Sequence, residues 1–293
     1  MSDTRNRTAT GLALYDRAAA DAAATVIARY STSFGLACRM LGARPRPHVR
    51  NIYALARIAD EIVDGPAAEA GLSPEAMEEV LDKLEQEVLD ATLRGFSSNL
   101  VVHAFAGTAR ECGIGADLVA PFFASMRTDL HTVRHDAPSH DAYVYGSAEV
   151  IGLMCLQVFV NAGAPHPVTP SAELVDGARR LGAAFQDVNF LRDRAHDDTV
   201  LGRDYLGPAT GETERAVILD RIDADLAAAA RTIPALPADC RRAVTAAHDL
   251  FAELAARLRA CAEGDERVRV PDAVKARLAA RALLGFAPRE ARA

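Results

Sequence analysis

"FQDVNFLRDRAHDD", residues 185–198, decides how the rest of the chain is read. On a helix turning ~100° per residue, Gln186, Asn189, Asp193 and Asp197 fall within about 80° of one another. Val188 and Leu191 fall on the opposite side. Two carboxylates four residues apart repel each other, and here two amides precede them on the same face. Asp187 and Asp198 lie off that stripe or at its end, and read as solvated.

A second stretch repeats the pattern. "NIYALARIADEIVDG", residues 51–65, places Tyr53, Arg57, Asp60 and Asp64 on one narrow stripe. Ile52, Leu55, Ile58, Ala59, Ile62 and Val63 occupy the wide remaining side. A mostly buried helix with a narrow acidic stripe is expected to face a cavity. Glu61 points about 100° from Asp60 and reads as the surface residue of the three acids.

Either pair alone also fits a solvated helix surface. Together, with amides beside them, they fit a hard divalent cation, which prefers carboxylate, amide and water oxygens. Carboxylates at i and i+4 stand about 6 Å apart. Two such pairs on facing helices can each hold Mg²⁺ that bridges to phosphate oxygens. The metal relieves the repulsion and helps a diphosphate leave.

The rest of the chain sets the frame. It has 293 residues, half of them hydrophobic and a quarter charged, with net charge −7. The pI is about 5.6, so no basic face for nucleic acid is expected. No segment alternates with period two, and alanine and leucine abound. The expectation is one all-α domain, a helical bundle over residues 11–293, after a disordered tail at 1–10.

Helices are predicted at 11–29, 48–63, 74–94, 97–112, 115–133, 139–162, 171–196, 213–230, 236–262 and 271–285. "STSFG" (31–35) reads as a break, "GARPRP" (42–47) as a turn and "TVLGRDYLGPATGE" (199–212) as a loop. Pro121 should sit in a first turn or mark a kink.

Five scattered cysteines without a CxxC, and an N-terminus without an apolar core, fit the cytoplasm. The most apolar stretch, 150–164, contains Gln157 and Asn161 and reads as too short and polar to span a bilayer. Peripheral contact with the inner membrane face stays open, as does oligomeric state. His131, His135 and His140 in "HTVRHDAPSH" lack a third zinc ligand on the same turn and read as a polar helix end. Asp129 leans toward the cavity, and His196 toward supporting the acidic stripe.

Five segments resemble the squalene/phytoene synthases, enzymes that join two allylic diphosphates head to head. They are "YSTSFGLACRML" (30–41), "NIYALARIADEIVDG" (51–65), "YVYGSAEVIGLM" (143–154), "FQDVNFLRDRAHDD" (185–198) and "GRDYLGP" (202–208). A weaker match is "VRVPDAVKARLAARALL" (268–284). The resemblance implies an isoprenoid-synthase bundle around a central cavity.

It further implies that Asp60, Asp64, Asp193 and Asp197, with Asn189, bind Mg²⁺ or Mn²⁺. Gln186, Arg57, Arg192, Arg203, Ser31 and Ser33 would contact metal or diphosphate. Phe34 would stand beside the reacting prenyl groups, Tyr53 and the catalytic Tyr143 would be cavity tyrosines, and Tyr205 would be the substrate-binding tyrosine of the following loop. The expected activity is prenyl transfer between two geranylgeranyl diphosphates, giving phytoene through a cyclopropylcarbinyl diphosphate, with no need for NADPH. Use of farnesyl diphosphate, cyclisation of a single prenyl diphosphate and a non-catalytic scaffold role are the alternatives. Glu149 and Val150 replace the usual Gly-Thr of the family, and Glu149 is expected to reshape the cavity.

Overall fold

The computed structural model describes residues 10–31, 33–132, 135–196, 205–206, 212–261 and 268–289. Among them there is no strand. The helices, in chain order, are α1 (Leu12–Tyr30), α2 (Ser33–Met40), α3 (Arg46–Val63), α4 (Pro66–Glu69), α5 (Pro74–Arg94), α6 (Leu100–Cys112) and α7 (Ala116–His131). They continue with α8 (Ala137–Val144), α9 (Val150–Asn161), α10 (Ala172–His196), α11 (Glu212–Thr232), α12 (Ala238–Ala260) and α13 (Asp272–Leu283).

Local chemistry sets the ends. The Ser73 side chain caps α5 by accepting from the Ala76 N–H, with Pro74 in the first helical position. Gly95 closes α5 at φ 80°, a left-handed conformation that glycine takes without strain. Asn99 then accepts from the N–H groups of Val101 and Val102 and starts α6 three residues later than the predicted 97. Asp136 and Ser139 form a reciprocal capping box that opens α8.

Three local expectations are corrected. Residues 33–40 are helical, so the hydroxyl-rich break is confined to the end of α1, where the Ser31 side chain accepts from the Gly35 N–H. α3 begins at Arg46, inside the predicted turn, because Pro47 suits a first turn that lacks a partner for its nitrogen. Pro121 lies in the second turn of α7, where it removes a hydrogen bond to the Asp117 carbonyl.

The central helix is the largest departure. The predicted single helix 139–162 is α8 and α9 joined by a π-helical segment, Tyr145–Glu149. By length and composition this 25-residue run could cross a bilayer. Here α3, α6, α7 and α10 pack around its α9 half. Glycine lets the backbones touch. A Cβ on Gly146 would lie 2.3 Å from the Pro121 carbonyl oxygen of α7. A Cβ on Gly152 would lie 2.6 Å from the Ala178 carbonyl oxygen of α10, and one on Gly182 would lie 2.7 Å from that of Ala148.

Two apolar cores result. One joins α3, α5, α6, α7 and α9, and includes Leu55, Leu81, Phe105, Phe123 and Met154. The other joins α10, α11 and α12 through Val188, Ile222, Leu226 and Leu258. A small aromatic cluster of Tyr143, Phe190 and Tyr205 forms a separate packing unit beside them. Arg44 ties first half to last, donating to Asp239 and to the Phe159 and Ala162 carbonyls at 2.9 Å each.

Gly182→Ala should therefore destabilise the protein by about 1–3 kcal/mol, because only backbone could yield. Gly107→Ala, on an exposed helical position with open space beyond it, should stabilise by about 0.5–1 kcal/mol. Urea unfolding of the two variants checks the sign difference.

Candidate active site

The α3 stripe forms as its spacing requires. Tyr53, Arg57 and Asp60 are half-buried, and Asp64 caps the helix, exposed, with its N–H on the Asp60 carbonyl. The ends of α1 and α2 close on this stripe. The Phe34 ring stacks on Tyr53 with centroids 5.4 Å apart, and the Arg57 guanidinium lies 4.7 Å above the Tyr30 ring. Burial raises the Tyr53 phenol above its ordinary value, and the nearby Ser31 hydroxyl and Arg57 oppose the rise. The Ser33 side chain lies outside the described residues.

Arg57 pairs with Glu61 and reaches Asp60 at 4.0 Å. This corrects the reading of Glu61 as the surface residue. Its side chain is 18 % exposed against 35 % for Asp60, because Arg57 draws it in along the helix. Burial, followed by the neighbouring Asp64 carboxylate, pushes the Asp60 carboxyl up to about 8, with Arg57 opposing and Asp129 adding to the rise.

On α10, Gln186, Asn189, Arg192 and Asp193 are all half-buried. Arg192 grips the Asp193 carboxylate with both Nε (3.0 Å) and Nη2 (2.5 Å). Asp197 and Arg203 lie outside the described residues, as do Asp198 and the His196 side chain. Asp187, expected to be solvated, is 2 % exposed. It accepts from Arg221 Nη2 at 2.8 Å, and His140 Nε2 lies 3.1 Å away.

Asp129 links the two sides. It is 8 % exposed and accepts hydrogen bonds from the hydroxyls of Tyr143 and Tyr205, both at 2.8 Å. Burial and the Asp129 charge raise the Tyr143 phenol well above its ordinary value, so it stays protonated. Tyr205 stacks on Phe190 of α10 at 4.4 Å, and His135 stacks over Tyr205 at 5.6 Å. Asp129 also acts electrostatically on Asp60 of α3. Among the described residues α3 and α10 do not pack closely on each other; both lie against α9.

Sequence reasoning brought these residues together only in part. Phe190 and His140 carry no motif signal, and the Phe185–Phe251 stack between α10 and α12, at 3.8 Å, joins positions 66 residues apart. Glu149 turns to Arg179 of α10 at 2.6 Å. His131 pairs with Glu78, apart from His135 and His140, so the three histidines do not form a zinc site.

Among the described residues no three His, Cys, Asp or Glu side chains converge to hold a metal. The donor chemistry nevertheless fits a hard cation. The carboxylates of Asp64 and Asp129 raise the charge cost of Asp60 beyond that of burial, with Arg57 opposing them. Oxygen donors with surplus negative charge suit Mg²⁺ completed by water and phosphate oxygens.

A family model described as squalene/phytoene synthase matches residues 27–210, which include both acidic stripes. The 15-cis-phytoene synthase of Synechocystis sp. is 31 % identical over 186 residues, covering 62 % of this chain and 53 % of that protein. The phytoene synthase of Mycobacterium bovis is 28 % identical over 192 residues, covering 65 % and 57 %. The matched segment thus spans about half the length of these curated relatives. Among solved structures, a dehydrosqualene synthase superposes with a TM-score of 0.75 at 21 % identity, covering 92 % of this chain and 96 % of that one. The squalene synthase HpnC of Alicyclobacillus acidocaldarius gives 0.72 at 17 % identity, covering 86 % and 96 %.

Charge crowding at Asp60 makes a specific prediction. Asp60→Asn should leave the metal-free protein equally stable or gain about 0.5 kcal/mol, since solvent screens much of the repulsion. Mg²⁺ with inorganic diphosphate should raise the Tm of the native chain by several degrees and leave that of the variant unmoved. A loss above about 1 kcal/mol in urea would make the carboxylate structural instead.

Proposed function

The chain belongs to the squalene/phytoene synthase family, and from that premise we propose that it condenses two prenyl diphosphates head to head. Geranylgeranyl diphosphate is the substrate we favour, with phytoene and two diphosphates as products. The observation that carries the reading is the pair of acidic stripes on α3 and α10, both lying against α9, with Tyr143 and Tyr205 joined through Asp129 beside them. Likeness to phytoene synthases supports the twenty-carbon substrate.

In the proposed reaction the C1–O bond of one diphosphate breaks and leaves an allylic cation. The double bond of the second substrate attacks it, a proton leaves and a cyclopropylcarbinyl diphosphate forms. That intermediate loses its diphosphate, rearranges and sheds a second proton to give phytoene. Asp60, Asp64, Asn189, Asp193 and Asp197 would hold Mg²⁺, which when bound supplies the positive field for the leaving diphosphate.

Arg57 and Arg192 would move from their carboxylate partners to diphosphate oxygens, where the planar guanidinium binds two at once. Arg203 and the hydroxyls of Ser31 and Ser33 fit the same headgroup. Gln186 would orient it. Phe34, Tyr53 and Phe190 offer aromatic faces to a cation. The apolar side of α9 holds the chains in line and excludes water.

Incubating the full chain and Mg²⁺ with geranylgeranyl or farnesyl diphosphate, without reductant, tests this. The expected product is a forty-carbon hydrocarbon from the former. Consumption of farnesyl diphosphate alone would move the reading to dehydrosqualene synthesis. A cyclic hydrocarbon from one prenyl unit, or turnover of neither substrate, would overturn head-to-head condensation. Asp193→Asn should lower kcat at least a hundredfold.

A further inference from the structure

We infer that the buried His140 and Asp187, with the 42 % exposed Arg221 covering them, form a latch that positions Tyr205, and through it the aromatic wall beside the acidic face of α10. The inference deepens the condensation reading and rests on it for its kinetic consequence. His140 projects from α8, Asp187 from α10 and Arg221 from α11. The His140 Nδ1–H donates to the Tyr205 carbonyl at 2.8 Å, a contact that fixes a hydrogen on that nitrogen. Its Nε2 lies 3.1 Å from Asp187 Oδ1 and 3.1 Å from Arg221 Nη2, which itself donates to Asp187 Oδ2 at 2.8 Å.

Tyr205 lies between α10 and α11, outside both helices, and His140 fixes its main chain. Its side chain does the site's work: the ring stacks on Phe190 and the hydroxyl donates to Asp129. Asp187 is one residue from Gln186 and two from Asn189. The same anchor therefore sets the rotation of α10 about its axis. A buried carboxylate paired with a partly exposed arginine is a poor source of stability, because desolvation of the carboxylate offsets much of the attraction. Fixing one geometry is what such a cluster does best. The latch also absorbs two residues, His140 and Asp187, that neither a zinc site nor a solvated surface explains.

Three variants of the full chain separate positioning from bulk packing. In His140→Asn the amide nitrogen stands about where Nδ1 does and keeps the donor to Tyr205. In His140→Gln it reaches toward the Nε2 position, and His140→Leu keeps neither. His140→Leu and His140→Gln should lose tenfold or more in kcat, with KM for the prenyl diphosphate within threefold. His140→Asn should stay within threefold of the native kcat. In a Tyr205→Ala background, His140→Leu should add less than twofold.

Amide hydrogen exchange in the ligand-free protein, at the peptide containing Tyr205, should quicken in the Leu and Gln variants and not in the Asn variant. Equal impairment of the Asn and Gln variants, or unchanged exchange in both His140→Leu and His140→Gln, overturns the latch. If His140→Leu does not fold, the Asn–Gln comparison decides alone. Exchange reads the latch even in a chain that turns over no prenyl diphosphate, so failure of the condensation reading stays distinguishable.

Discussion

Backbone-to-backbone contact along the central helix is the constraint on which the rest depends. Gly146 meets α7 at the Pro121 carbonyl, and Gly152 and Gly182 bring α9 and α10 together at the Ala178 and Ala148 carbonyls. No side chain separates these helices at the crossing points. Their distance is therefore fixed by main chain, which cannot relax as a side chain does. α3 packs on α7 and α9, so it inherits its place from the same frame. The π segment itself carries Gly146 and leads into the α9 crossing, and on its other side Tyr143 donates to Asp129 of α7. Rigid placement matters for a candidate site whose stripes lie on helices that, among the described residues, do not pack closely on each other.

Charge is the second level of organisation. Each acidic stripe holds an arginine on its own helix, Arg57 for α3 and Arg192 for α10, already engaged with carboxylates. These are partial counter-ions, and on α3 they do not balance the site. The Asp60 carboxyl stays pushed up because Asp64 and Asp129 press on it together with burial. In the proposed function, cations bring the balance that arginine leaves short and free the guanidiniums for diphosphate. Such a site is costly to the folded protein, a usual feature of functional clusters.

Both acidic stripes were legible because helical period alone sets which residues share a face. Tyr53, Arg57 and Asp60 needed no tertiary information, and neither did Gln186, Asn189 and Asp193. Asp187 was misread because its burial depends on Arg221, 34 residues on, and His140, 47 residues back. Nothing in its own window signals either partner. Glu61 was misread for a different reason: a local Arg57 pairing draws it below the exposure its angle suggests. The π segment also leaves no trace in apolar spacing, since one widened turn changes a pattern less than sequence variation does. Close helix crossings were hidden as well, because a glycine inside a helix reads as a weakness until its neighbour's carbonyl is seen.

The tyrosines show how a polar wall can serve a carbocation. Tyr143 and Tyr205 both spend their hydroxyl hydrogens on Asp129, one on each carboxylate oxygen. Each Asp129 oxygen thereby has a phenol donor, and each phenol is held by its polar end. What the rings offer elsewhere is their faces, stacked with Phe190 and His135. A free hydroxyl or a loose water beside an allylic cation would quench it as an alcohol. In the proposed reaction the phenols held on Asp129 would bring aromatic surface and a nearby negative charge to the cation. Burial and the Asp129 charge both keep Tyr143 protonated, so that carboxylate reinforces the hold. In the proposed function Tyr143, Tyr205 and Asp129 would serve the apolar half of the reaction, and the acidic stripes would serve the leaving group.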